Sequence, residues 1–129
     1  MDNRTDKQQL GDWGENEAVQ FLQQKGYEVI ERKYRVKHCD LDIIAWNTKR
    51  HHGATLCFIE VKTRRGEWGT AEAATNDKKQ RNIFHAAKEY CLSHNIAVDR
   101  IPIQFEQVSV YVSAHSATPT CKHDVIPVE

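Results

Sequence analysis

Leu41-Asp42-Ile43-Ile44-Ala45 and Leu56-Cys57-Phe58-Ile59-Glu60-Val61-Lys62 are the stretches on which the reading of this chain turns. Both are apolar runs of strand length, and each carries a carboxylate. Strand side chains alternate with period two, so Glu60 and Lys62 share a face, with Phe58 behind them. A carboxylate in an otherwise apolar strand is costly unless it is paired or binds a metal. Asp42, Glu60 and Lys62 converging at strand ends are what metal-dependent phosphodiester cleavage requires. The plainer alternative is an ion pair along one strand face, with Asp42 as a third member.

The flanking segments supply helices and further strands. Thr5-Asp6-Lys7-Gln8 has the form of a capping box. Leu10, Trp13, Ala18, Phe21 and Leu22 follow at near-helical spacing, so a first helix is expected over about 6–25, stopped by Gly26. Glu15 lies on the row Gly11, Glu15, Ala18, Leu22, beside the apolar stripe. Strands are expected over 27–32, 39–46, 54–63 and 104–112, where Val108, Val110 and Val112 alternate onto one face that Glu106 joins. The basic run to His38 reads as a hairpin end and 47–53 as a polar hairpin loop. Residues 64–70 read as a loop whose Trp68 either stacks on a base or packs on the core. Asp77 and Gln80 suggest a second capping box. Ile83, Phe84, Ala87, Tyr90 and Cys91 then give a second amphipathic helix that stops near Asn95. Residues 113–120 read as loop and 125–128 as a short edge strand.

The order is therefore α-β-β-β-α-β. Short connections make strands one to three antiparallel, and the crossover through helix two returns strand four parallel to strand three or its neighbour. The expected fold class is α/β, one mixed sheet flanked by helices, in a single domain spanning residues 1–129.

With 40% hydrophobic and 28% charged residues, the composition excludes a disordered chain. No apolar run approaches the roughly 18 residues of a membrane span, and the first residues contain no apolar signal segment. The expectation is a cytoplasmic protein with no membrane partner. Its four cysteines, Cys39, Cys57, Cys91 and Cys121, form no C-x-x-C pair and are expected reduced. A zinc site from His38, Cys39, His51, His52 and Cys57 fits no usual ligand spacing. The formal net charge is +0, yet ten of the 18 Lys and Arg fall in three runs. These are Arg32, Lys33, Arg35 and Lys37; Lys62, Arg64 and Arg65; and Lys78, Lys79 and Arg81. Local fields steer polyanions, so these runs are candidate nucleic-acid contacts, with solvated surface as the bland alternative.

Gly11-Asp12-Trp13-Gly14-Glu15-Asn16-Glu17-Ala18, then Phe21-Leu22 and Gly26-Tyr27, resemble the opening of the YraN-like endonuclease family. Asp40-Leu41-Asp42-Ile43-Ile44-Ala45 is similar to that family's Gly-Glu-x-Asp-Leu-Ile-Ala stretch. Phe58-Ile59-Glu60-Val61-Lys62-Thr63-Arg64 looks like its most specific motif. Ala71-Glu72-Ala73, Lys79 and Ala87-x-x-Tyr90 fit its later helix, so the resemblance covers about residues 10–112. The family is similar to archaeal Holliday junction resolvases and shares the Asp…(Asp/Glu)-x-Lys signature of restriction-endonuclease-like nucleases, with their αβββαβ core.

That resemblance implies a DNA endonuclease using Mg²⁺ or Mn²⁺. Asp42 and Glu60 are then metal ligands with the Val61 carbonyl, Lys62 is the catalytic lysine, and Glu15 reaches the same site from helix one. Arg35, Lys37, Arg64, Arg65 and Lys79 are the expected nucleic-acid contacts. Asp40 and Glu106 are expected to support the ligands. Two departures touch this picture: Cys39-Asp40 stands for the usual Gly-Glu, and Gln104-Phe105-Glu106 for Arg-Phe-Asp. Branched DNA is one candidate substrate and favours a two-fold homodimer, because two strands must be cut symmetrically. The competing expectation is a nucleic-acid-binding module that keeps the fold and cuts weakly or not at all.

Overall fold

The computed structural model describes residues 3–66, 77–113 and 118–128. The chain runs α1 (Asp6–Gln24), β1 (Glu28–Val36), β2 (Cys39–Lys49), β3 (Gly53–Arg65), α2 (Asp77–Ser93), β4 (Ile103–Val112) and β5 (Thr120–Ile126). Helix α1 begins as its capping box dictates. The Thr5 side chain accepts from the Gln8 N–H at 3.1 Å, and Gln8 Oε1 accepts from the Thr5 N–H at 2.9 Å. Gly26 leaves the helix at φ 89, a left-handed turn that suits a residue without Cβ.

The five strands form one sheet in the order β1-β2-β3-β4-β5. All pairs are antiparallel except β3 with β4, the parallel pair that α2 connects. Each helix covers one face. Ala18, Val19 and Leu22 of α1 pack on Ile43, Ala45, Cys57, Ile59, Val108 and Val110. Ile83, Ala86, Ala87, Tyr90 and Cys91 of α2 pack on Ile44, Leu56 and Phe58. Burying one such side chain is worth roughly 1.5–3 kcal/mol, which is why β2 and β3 are apolar on both faces.

Four expectations need correction. Residues 33–36 continue β1, and the hairpin turn is confined to Lys37 and His38. Strand β2 runs on to Lys49, so the polar loop expected over 47–53 is shorter, and β3 continues through Arg64 and Arg65, which were expected in a loop. The last strand is Thr120–Ile126 and pairs with β4 along its whole length, where only a short strand over 125–128 was expected. Trp68 and Ala71-Glu72-Ala73 lie outside the described residues, as does the Asp77 side chain on which the second capping box rests. Among the described residues no helix is long and apolar enough to cross a membrane.

Candidate metal and nucleic-acid site

The site lies where two strands part. Strand β2 is in register with β3 from Ile43, opposite Ile59, to Lys49. Before Ile43 the pairing stops, and the backbone N–H of Val61 is left without a strand partner. The Asp42 carboxylate takes it, with Oδ2 accepting at 2.7 Å. Backbone parting and side-chain placement are thus one event: the ladder opens and a carboxylate fills the opening.

Beside it on β3, Glu60 is 4% exposed. Its Oε1 accepts from Lys79 of α2 at 2.6 Å and lies 3.9 Å from Lys62 Nζ. Its Oε2 is buried and has no hydrogen-bond partner among the described residues. The Asp42 and Glu60 carboxyls are close enough to act on each other. Burial and then the Glu60 charge push Asp42 up to about 8. Burial also raises Glu60, against the pull of Lys79. Two acids so placed favour a bound cation or a shared proton.

Asp42, Val61, Lys62 and Glu15 line one cavity of about 470 Å³, with Lys33 and Lys7 on its wall. A neighbouring cavity shares Asp42, Glu15 and Lys33 and adds Arg35 and Asp40. Glu60 lines neither and stays behind, under Lys79. Glu15 is buried and engaged: Arg32 Nε donates to it at 3.0 Å and Lys33 Nζ at 3.3 Å. Lys33 achieves this with a left-handed backbone, φ 55, inside β1. That conformation is uncommon for a side-chain-bearing residue. The same ammonium also reaches Asp12 at 2.9 Å.

Helix α1 carries Glu15 to the sheet because Gly14 precedes it. A Cβ on Gly14 would lie 1.9 Å from Thr63 Oγ1, so only glycine permits this approach. The sequence contained the signal, a Gly-Glu pair mid-helix, but its reason is the long-range contact with β3. The Asp42 bond to Val61 and the Lys79 bond to Glu60 were likewise not foreseen.

The other expected site residues fall as follows. Asp40 is exposed at the rim and pairs loosely with Arg35 at 3.7 Å. Lys37 lies in the adjacent hairpin turn, and Arg64 and Arg65 end β3 on alternating faces. Since Asp42 and Glu60 occupy this same end of the sheet, so do all three basic runs. Three of the four cations of the first run are already matched by acids: Arg32 and Lys33 by Glu15, Arg35 by Asp40. Glu106 is fully buried on the other face from Glu60, among the α1-side residues. It accepts from Tyr27 at 2.8 Å, Gln104 at 2.8 Å and Lys49 at 3.0 Å, and His123 Nε2 stands at 2.6 Å. None of these bonds reaches Asp42, Glu60 or Lys62.

Among the described residues no group of three or more His, Cys, Asp or Glu is arranged to hold a metal ion. What is present is a pair of hard oxygen donors, one with an oxygen that has no hydrogen-bond partner among the described residues. Mg²⁺ commonly takes one or two carboxylates and completes its shell with water and phosphate oxygens, so the donor set fits such an ion.

The model of a family described as "Uncharacterised protein family UPF0102" matches residues 14–128. A UPF0102 protein of Chlorobium phaeobacteroides is 41% identical over 109 residues, covering 84% of this chain and 80% of that one. One from Roseiflexus castenholzii is 36% identical, covering 93% of each. One from Geotalea uraniireducens is 37% identical, covering 95% of this chain and 91% of that one.

Proposed function

We propose that this chain, which belongs to the uncharacterised protein family UPF0102, is a Mg²⁺- or Mn²⁺-dependent endonuclease acting on DNA in the cytoplasm. UPF0102 is the YraN-like group that its motifs resemble. The observation that carries the reading is the pair Asp42 and Glu60. Two carboxyls press on each other where the sheet opens, and one oxygen of the pair is buried without a donor among the described residues. The mutual repulsion of two buried acids costs the fold stability unless a cation or a shared proton joins them.

Asp42, Glu60 and the Val61 carbonyl are the groups that would hold the ion. When bound, it would supply Lewis acidity to a phosphoryl oxygen and a more acidic water. The chain's own residues do the rest. The Val61 N–H fixes the orientation of Asp42. Lys62 stands in the same cavity as Asp42 and supplies positive charge for the oxygens of the transition state. Glu15 stands on the cavity wall with Asp42, its carboxylate held in place by Arg32 and Lys33. Lys37, Arg64 and Arg65 at that end of the sheet, with Arg35, are the candidate contacts to the phosphate backbone.

One observation favours the second reading, a nucleic-acid-binding module that cuts weakly: Glu15 is already paired with two cations. A cleavage panel over linear, flapped and four-way DNA with Mg²⁺, Mn²⁺ or EDTA separates the two. Metal-dependent cutting that falls about 10²-fold in Lys62→Ala, with DNA affinity retained, is the expected result. Binding without cutting of any substrate selects the module.

A further inference from the structure

Lys79 was expected to touch phosphate or solvent. Instead its ammonium is 2.6 Å from Glu60 Oε1, closer than the 3.9 Å of Lys62, the lysine of the strand motif. Lys79 is the third residue of α2, and Glu60 is on β3, so this bond ties the helix to the opened end of the sheet. The two oxygens of Glu60 are thereby made unequal. Oε1 is held by the helix, while Oε2 is buried with no partner among the described residues.

We propose that Lys79 is a positioning residue: by fixing Oε1 from α2, it sets the Glu60 carboxylate so that Oε2 is the oxygen offered to the metal. This rests on the metal-site reading above. Lys79 and Lys62 then have separate duties, one orienting a ligand carboxylate and the other standing over the cavity with Asp42. A carboxylate that binds metal through one oxygen usually has the other held by a hydrogen bond, and loss of that holder weakens metal binding by roughly 10–100-fold.

The test has two arms. In the metal-free protein, Lys79→Met should lower the denaturation midpoint, and the same change in a Glu60→Gln background should lower it much less. In the second arm, free Mn²⁺ is followed by electron paramagnetic resonance during titration. Lys79→Met should weaken Mn²⁺ binding by about tenfold or more, and Lys79→Arg should recover most of it. Additive midpoints in the first arm would remove the contact and overturn the proposal. So would unchanged or tighter Mn²⁺ binding in Lys79→Met, which would make Lys79 a plug or a phosphate contact. If the unmutated protein binds no Mn²⁺, the metal-site reading itself fails. The first arm then tells whether the lysine contact survives it.

Discussion

Two carboxylates are buried in the same sheet, and they are treated in opposite ways. Glu106 is surrounded by donors from four residues and is held low, to about 2, because the bonds from His123, Tyr27 and Lys49 outweigh its burial. Glu60 has donors on one oxygen, an acid for a neighbour, and an oxygen with no partner among the described residues. A complete donor set marks a carboxylate whose work is holding strands together. An incomplete one, next to a second acid, marks a carboxylate kept for something that arrives later.

The most forceful way to break this contrast is to remove each acid in turn. Glu106→Ala strands the Lys49 ammonium and the Tyr27 hydroxyl in a closed place. It should reduce stability by about 3–5 kcal/mol in urea denaturation. Asp42→Asn keeps an acceptor for the Val61 N–H and removes the repulsion on Glu60, so the metal-free protein should be no less stable, or more so. A large loss from Asp42→Asn would mean that both acids are structural.

The same contrast should appear in pH. The folded value of Glu106 lies below its unfolded value of roughly 4.3. Its stabilisation is therefore present above that value and is lost as pH falls toward about 2, by about 3 kcal/mol in all. Asp42 is raised, so in EDTA its burden grows as pH rises from about 4 and is complete above about 8. Stability measured against pH should fall at both ends, and Asp42→Asn should shrink the alkaline limb to the part that the burial of Glu60 contributes, leaving the acid limb unchanged.

A smaller effect tests how α1 is seated. Gly14→Ala should destabilise by about 1–3 kcal/mol through the collision with Thr63, and Thr63→Ala should recover part of it. Full tolerance of the alanine would show that α1 can shift without consequence, and that Glu15 is not tightly placed.

The general plan was legible in the sequence because it depends on local patterns. The Thr5 capping box, the apolar runs around Asp42 and Glu60, and the helical spacing from Ile83 to Cys91 each contain their own cause. What escaped depends on partners far along the chain. Strand β5 has little apolar alternation to announce it, because His123 faces Glu106 and Lys25 where a hydrophobe would be expected. Lys33 adopts its left-handed backbone among ordinary strand residues, where it reaches two acids of α1. Lys79 read as a phosphate contact or a solvated helix start because Glu60, its partner, is on another element. For Asp42 the residue was evident and the parting of β2 from β3 was not.

The parallel pairing of β3 with β4 has a consequence for the order of folding. Strands β1, β2 and β3 are joined by tight turns and need close only small loops. The β3–β4 pair must bring residues 56–65 to 103–112 across the whole α2 connection, and such non-local closure is slow. Asp42 and its Val61 bond belong to the early meander, whereas Lys79 reaches Glu60 only when α2 has docked. The nascent chain thus passes through a stage in which its two acids are assembled before the lysine that restrains one of them. Mutational rate analysis should give Ile43 and Ile59 high fractional values and Lys79 a value near zero.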